Sequence, residues 1–201
     1  MRFSDWPIKL LLLMVLAAVV LVGSTARSWG GEPKAGEPVN GLRASLKIQG
    51  STFKQGQGIP IELELQNVSN TPVSLYQQLS DTLYLPGYVR FLVVRLVDGT
   101  SIEIIQLETE RVALTADQAK VLYTALEPGA LLKRQFTMRP EYHGVNSHSN
   151  PASLEPGLYE LRLEVIFDEE GRVLGVKDAW VGTVISNPAR FRIVGSGEEK
   201  R

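Results

Sequence analysis

The feature that most constrains the fold is an alternation of apolar and polar residues, repeated along the chain and broken by turn-forming runs. Leu42, Ala44, Leu46 and Ile48 alternate with Arg43, Ser45, Lys47 and Gln49. Successive strand side chains point to opposite faces, so the pattern sets one face on a core and the other in water. The alternation returns after Gly56-Gln57-Gly58, with Ile59, Ile61, Leu63 and Leu65 against Pro60, Glu62, Glu64 and Gln66. It stops at the turn-forming run 67–72, and Pro60, which lacks an N–H, suits the entry or edge of a strand.

Further strands are expected over residues 73–79, over 88–97, and over 101–107 after the hairpin signal Asp98-Gly99. The 88–97 run is apolar on both faces apart from Arg90 and Arg95, which predicts a central strand. Two Pro-Gly turns, at Pro128-Gly129 and Pro156-Gly157, mark the starts of two more strands. The second of these ends at Asp168-Glu169-Glu170-Gly171, read as a hairpin tip. The last strands span about 180–186 and 189–194, with Asn187-Pro188 as a bend or bulge. Thr115-Ala116-Asp117-Gln118 fits a capping box and predicts one short helix near 116–126, stopped by Glu127-Pro128-Gly129.

About eight or nine short strands with regular turn signals and one inserted helix argue an all-β, antiparallel sandwich. At Leu154-Glu155-Pro156-Gly157-Leu158-Tyr159-Glu160-Leu161-Arg162 the chain resembles the tyrosine-corner entry into a late strand of immunoglobulin-like domains. Residues 180–188 resemble the closing hairpin strand of exported bacterial immunoglobulin-like domains, some distantly similar to proteinase-inhibitor sandwich domains. The resemblance implies an immunoglobulin-like sandwich over residues 41–195. It gives Tyr159 a structural role, its hydroxyl bonded back to upstream backbone, and supplies no catalytic residue to transfer. Trp180, first in an apolar strand, is expected in the core.

Before this domain, Arg2 and Lys9 precede an unbroken apolar run of 13 residues, 10–22, and the small-residue stretch Gly23-Ser24-Thr25-Ala26. A helix of that length, ~20 Å at ~1.5 Å per residue, falls short of a ~30 Å hydrocarbon core. The layout is that of a secretory signal over residues 1–26, followed by a flexible linker over 27–40, with a polar tail at 196–201. The competing reading is an uncleaved inner-membrane anchor over residues 8–26. Export to the periplasm or the extracellular space is the expectation, and the chain has no cysteine for lipid attachment or disulfides.

Removing Arg2, Lys9 and Asp5 from the 21 basic and 22 acidic residues leaves 19 and 21. So even a balance gives no electrostatic footprint for nucleic acid or an anionic membrane surface. A nucleophilic triad would need a histidine beside an activated serine. The histidines, His143 and His148, lie instead in a polar stretch without a Gly-x-Ser-x-Gly elbow. With Glu141 they form a conceivable transition-metal set, yet Gly144, Asn146 and Ser147 argue for a loop of solvated histidines. Glu62 and Glu64 share a solvent-facing strand side and read as a solvated pair.

Recognition through loops is the better-founded expectation, because tyrosines combine apolar area with a polar tip. Two segments stand out: residues 76–88, carrying Tyr76, Tyr84 and Tyr88, and residues 139–153, carrying Tyr142, His143 and His148. Tyr76 and Tyr88 are expected to fill core, leaving Tyr84 and Tyr142 as candidate contacts. The functional expectation is a non-catalytic exported module recognising another envelope or extracellular protein, or an envelope component, with no cofactor. A proteinase-inhibitor-like domain and a metal-dependent enzyme using His143 and His148 are the alternatives.

Overall fold

The computed structural model describes residues 36–79, 85–104, 114–139, 141–142 and 152–195. Among them are thirteen strands and two short helices, so the chain is all-β in class. The first alternating run forms β1 (Leu42–Ile48) and the second forms β3 (Ile59–Asn67), paired antiparallel from Leu42↔Asn67 to Ile48↔Ile61. β3 pairs on its other side with β8 (Leu131–Met138), completing a three-stranded sheet. Every second residue of β3 is buried, from Ile59 to Leu65, while Glu62 and Glu64 face outward.

The larger sheet has six strands built around β11 (Gly157–Phe167), the longest. β5 (Gly87–Arg95) pairs with nine residues of β11, and β6 (Ser101–Ile104) lies beyond it. On its opposite side β11 pairs first with β13 (Ala189–Val194) and then with β12 (Gly182–Ile185). β2 (Thr52–Lys54) adds in parallel to β13, whereas the other pairings of this sheet are antiparallel. The hairpin between β5 and β6 closes where expected: Gly99 takes φ 72°, and the Asp98 carboxylate accepts from the Thr100 amide at 3.0 Å. That bond is the main reason the Asp98 carboxyl is held below its usual range.

The inward faces of the two sheets meet in one apolar cluster. It includes Leu42, Ile61 and Leu63 from the smaller sheet and Phe91, Leu161, Leu163 and Phe191 from the larger. Tyr159 stacks on Phe191, centroids 5.5 Å apart, and Phe53 meets the same ring edge-on. The bend at Asn187-Pro188 couples the sheets by side-chain chemistry. Asn187 accepts from the Leu46 amide at 2.8 Å and donates to the Leu46 carbonyl at 3.2 Å, a ladder partner for β1. One residue earlier, the buried Ser186 hydroxyl accepts from the Leu163 amide at 2.9 Å, where β11 exchanges one neighbour for the other.

Three expectations are corrected. The helix near 116–126 is α1 (Ala116–Leu122), which stops four residues early. Its Thr115/Gln118 capping box is present, but Tyr123–Leu126 forms β7 against β4 (Val73–Tyr76). Cross-strand pairing, including the Tyr76–Tyr123 contact, outweighs the weak helix propensity of Tyr123 and Thr124 there. The acidic run 168–171 is no plain hairpin tip, because α2 (Glu170–Val173) begins within it. The strand count also exceeds the expected eight or nine, since pairs such as β9 (Glu141–Tyr142) with β10 (Ala152–Ser153) are too short for a readable periodicity.

Candidate functional site

Of the contacts proposed from sequence, Tyr84, His143 and His148 lie outside the described residues. Tyr142 lies in β9, its backbone opposite Ala152. Tyr159 is buried, and its hydroxyl donates to the Glu155 carbonyl at 2.8 Å, tying the start of β11 to the turn before it. Trp180 is buried as well. Its indole Nε1 donates to the Asn40 carbonyl at 3.2 Å and its ring meets Phe167 edge-on at 5.5 Å. Glu62 and Glu64 converge on Lys133 of β8, whose ammonium bridges both carboxylates on the outer face.

The two aromatic segments have firmly held roots. Tyr76 is buried, the Gln77 amide donates to the Leu122 carbonyl at 2.7 Å, and the Arg134 guanidinium donates twice to the Gln77 carbonyl. At the far end of that segment the Pro86 carbonyl accepts from the Asp168 amide at 3.0 Å. Residues 143–151 are bounded by the antiparallel β9–β10 pair, which lies against β6.

Tyr76 and Tyr123 meet edge-on, centroids 5.6 Å apart. Burial pushes both phenols up, and the nearby Glu170 carboxylate pushes in the same direction, joined by Asp168 at Tyr123. The Gly171 amide donates to the Tyr123 hydroxyl oxygen, a weaker opposing influence. A Cβ at Gly171 would fall 2.6 Å from that oxygen, so only glycine fits. Both phenols stay protonated at neutral pH, which makes them packing and hydrogen-bonding groups.

The described surface holds a cleft of about 430 Å³, within the size range of small-ligand sites. Its walls come from three separate stretches of chain: Asn40, the start of β4, and residues 172–181. Segment 178–180 runs parallel to β4, with the Ser74 amide donating to the Asp178 carbonyl and the Trp180 amide to the Ser74 carbonyl. This pairing leaves the backbone of Ala179 facing away from β4, and its carbonyl accepts from Arg172 Nε at 3.3 Å. Asn40 and Asp178 both sit in the left-handed region, at φ 47° and 55°. Asn40-Gly41 is a two-residue turn closed by reciprocal bonds between Val39 and Leu42. Sequence reading passed over Arg172 and Asp178, because no local pattern links residues that only the fold brings together.

No family model matches the chain, and no curated protein matches it. Among solved structures it is similar to part of the β-glucosidase EmGH1 from Erythrobacter marinus: 11% identity, 76% of this chain, 15% of that one, TM-score 0.40. A β-glucosidase involved in saponin metabolism from intestinal bacteria gives 14% identity, 79% and 17% coverage, and a TM-score of 0.40. A structural-genomics target aligns over 82% of this chain and 96% of its own length, at 9% identity and a TM-score of 0.35. The chain thus spans less than a fifth of either β-glucosidase. Likeness at this level transfers no chemistry between proteins. Among the described residues no helix is long and apolar enough to cross a membrane, and no three metal-ligating side chains come together.

Proposed function

We propose that this chain is an exported, non-catalytic binding module with an immunoglobulin-like sandwich. On this reading it recognises another envelope or extracellular protein, or an envelope component, through its loops. The observation that carries the reading is how the described residues flanking both aromatic segments are held: Gln77 by Arg134 and Leu122, Pro86 by Asp168, and Tyr142 and Ala152 by the β9–β10 pairing. Sandwich domains carry recognition contacts on connections held by a rigid frame. Supporting the architecture are the core shared by two sheets and the Tyr159–Glu155 bond at the entry to β11.

The test is crosslinking and affinity capture of the exported chain in a native envelope extract, compared with the Tyr84→Ala, Tyr142→Ala double variant. A partner captured reproducibly by the parent and lost in the variant is the expected result. Equal capture by both would remove these loops from the contact surface. The β9–β10 pairing that flanks residues 143–151 in the chain also supports a proteinase-inhibitor-like reading, in which that loop would occupy a protease cleft without being cut. Rapid cleavage within residues 143–151 by each protease tried would discard that alternative.

A further inference from the structure

The strongest feature beyond those loops is the cleft beside Trp180, and its charges and walls are of different kinds. Pro72, Val73, Val176 and Val181 give it apolar patches within a wall of mixed polarity that also includes the buried Trp180. Arg172 lines the same space. Its Nε donates to the Ala179 carbonyl, and the two terminal nitrogens of this exposed side chain have no protein partner among the described residues. The amide of the nearly buried Ala179 also has no partner among the described residues. One carboxylate, Asp178, lies in the wall, and the Lys177 ammonium stands 3.9 Å from it. Arg172 and Asp178 balance within the wall, and Lys177, outside it, offsets the Asp178 charge and leaves Arg172 the cation available to a ligand.

An oriented guanidinium edge beside a free backbone N–H is a donor set for a carboxylate, since Arg presents paired N–H groups in a fixed fork. The valine and proline patches suit a short branched aliphatic body, and the Arg172 donors favour an anionic over a cationic head. We infer that the cleft binds a carboxylate carried on a small apolar group, with Arg172 as its anchor and Asp178 as a discriminating neighbour. That chemistry belongs both to the carboxy terminus of a peptide ending in an apolar residue and to a free branched-chain acid. The inference deepens the binding-module reading by giving the molecule a second, small-ligand surface, and it uses none of Tyr84, Tyr142, His143 or His148.

The experiment is titration of the isotope-labelled full chain, following the Trp180 indole N–H by NMR. The probes are acetyl-Ala-Val with a free carboxylate, the same dipeptide as its carboxamide, and isovalerate. The expected result is that the free carboxylate shifts the Trp180 signal saturably and the carboxamide does not. Isovalerate binding as tightly as the dipeptide would identify a free acid as sufficient, and binding of the dipeptide alone would identify a peptide end. Arg172→Gln should weaken binding about tenfold, the scale of one lost charge-assisted pair, while Arg172→Lys retains part of it. Asp178→Asn should tighten binding several-fold by removing the like charge, and asparagine tolerates the left-handed backbone there. That variant keeps the test decisive if Arg172→Gln fails to fold. Absence of any saturable shift, equal binding of carboxylate and carboxamide, or no gain in Asp178→Asn would overturn the inference. Each of those outcomes leaves capture through Tyr84 and Tyr142 standing, and loss of that capture would leave the cleft result standing.

Discussion

Asn67 gives the sharpest test of how this fold is held, because it is one of the few polar side chains buried completely. Its Nδ2 donates to the Thr71 and Leu126 carbonyls, both at 2.8 Å. Its Oδ1 accepts from the Ser69 amide at 2.9 Å and the Ser69 hydroxyl at 2.7 Å. The side chain thus closes the turn after β3 and ties it to the end of β7. In Asn67→Ala the groups of Ser69 and Thr71 reach water, so each lost bond costs the net of a hydrogen bond, ~0.5–1.5 kcal/mol. The Leu126 carbonyl keeps its place opposite Val73 in the β4–β7 ladder, so losing the Asn67 donor there costs the same ~0.5–1.5 kcal/mol. Four such bonds total ~2–6 kcal/mol, a large part of the ~5–15 kcal/mol that holds a domain of this size. Asn67→Asp separates the donors from the acceptors. The carboxylate can still accept from Ser69 but meets two carbonyl oxygens where the amide donated, so its folded pKa should rise above the unfolded value of ~3.9. The folded state then binds more protons between those two values, and the deficit against wild type should shrink as pH falls toward 4. Urea unfolding at pH 7 and pH 4.5, each variant against wild type at the same pH, measures both effects. A loss below ~1 kcal/mol in Asn67→Ala, or an Asn67→Asp deficit that does not change with pH, would refute the account.

Two further perturbations probe other parts of the frame. Tyr159→Phe removes the bond to the Glu155 carbonyl and should cost about 1 kcal/mol, whereas Leu161→Ala, a fully buried deletion in the same strand, should cost ~2–5 kcal/mol in the same denaturant series. A neutral Leu161→Ala would mean that the inward face of β11 is misassigned. Tyr76 and Tyr123 predict a loss of stability in alkali, because their folded pKa values lie above the unfolded value near 10 and the unfolded chain releases protons first. Their contribution is whole below pH 10 and should fall by up to ~1.4 kcal/mol per pH unit per tyrosine above it. The Tyr76→Phe, Tyr123→Phe double variant should flatten that slope, and an unchanged slope would assign the alkaline loss to other groups.

Much of the strand framework was legible in the residues themselves. β1 and the final strand β13 have the bounds that alternation indicates, and β3 and β8 differ from them by no more than a few residues. Those runs carry a period of two because half of each strand faces water, so the core face is written locally. The capping box that starts α1 and the Asp98-Gly99 hairpin are legible for the same reason, since their bonds close within a few residues. Where α1 ends was not legible: Tyr123–Leu126 is drawn into β7 by β4, nearly fifty residues earlier in the chain. Nor was the candidate cleft, whose walls are assembled from positions 40, 72–73 and 172–181.

What the sequence determined by itself is the class: short strands of alternating character, turns at Gly, Pro and Asn, and an apolar segment ahead of them. Those properties follow from steric limits and side-chain periodicity acting over a few residues at a time. Tertiary structure alone decided which strands became neighbours, that β11 exchanges β13 for β12 at Ser186, and that Asn187 serves as a ladder partner for Leu46. It also set Arg172 against the backbone of Ala179 beside Trp180. The reason is physical: these arrangements are fixed by how well distant faces fill one core and satisfy one another's hydrogen bonds, and no stretch of chain carries that complementarity within itself.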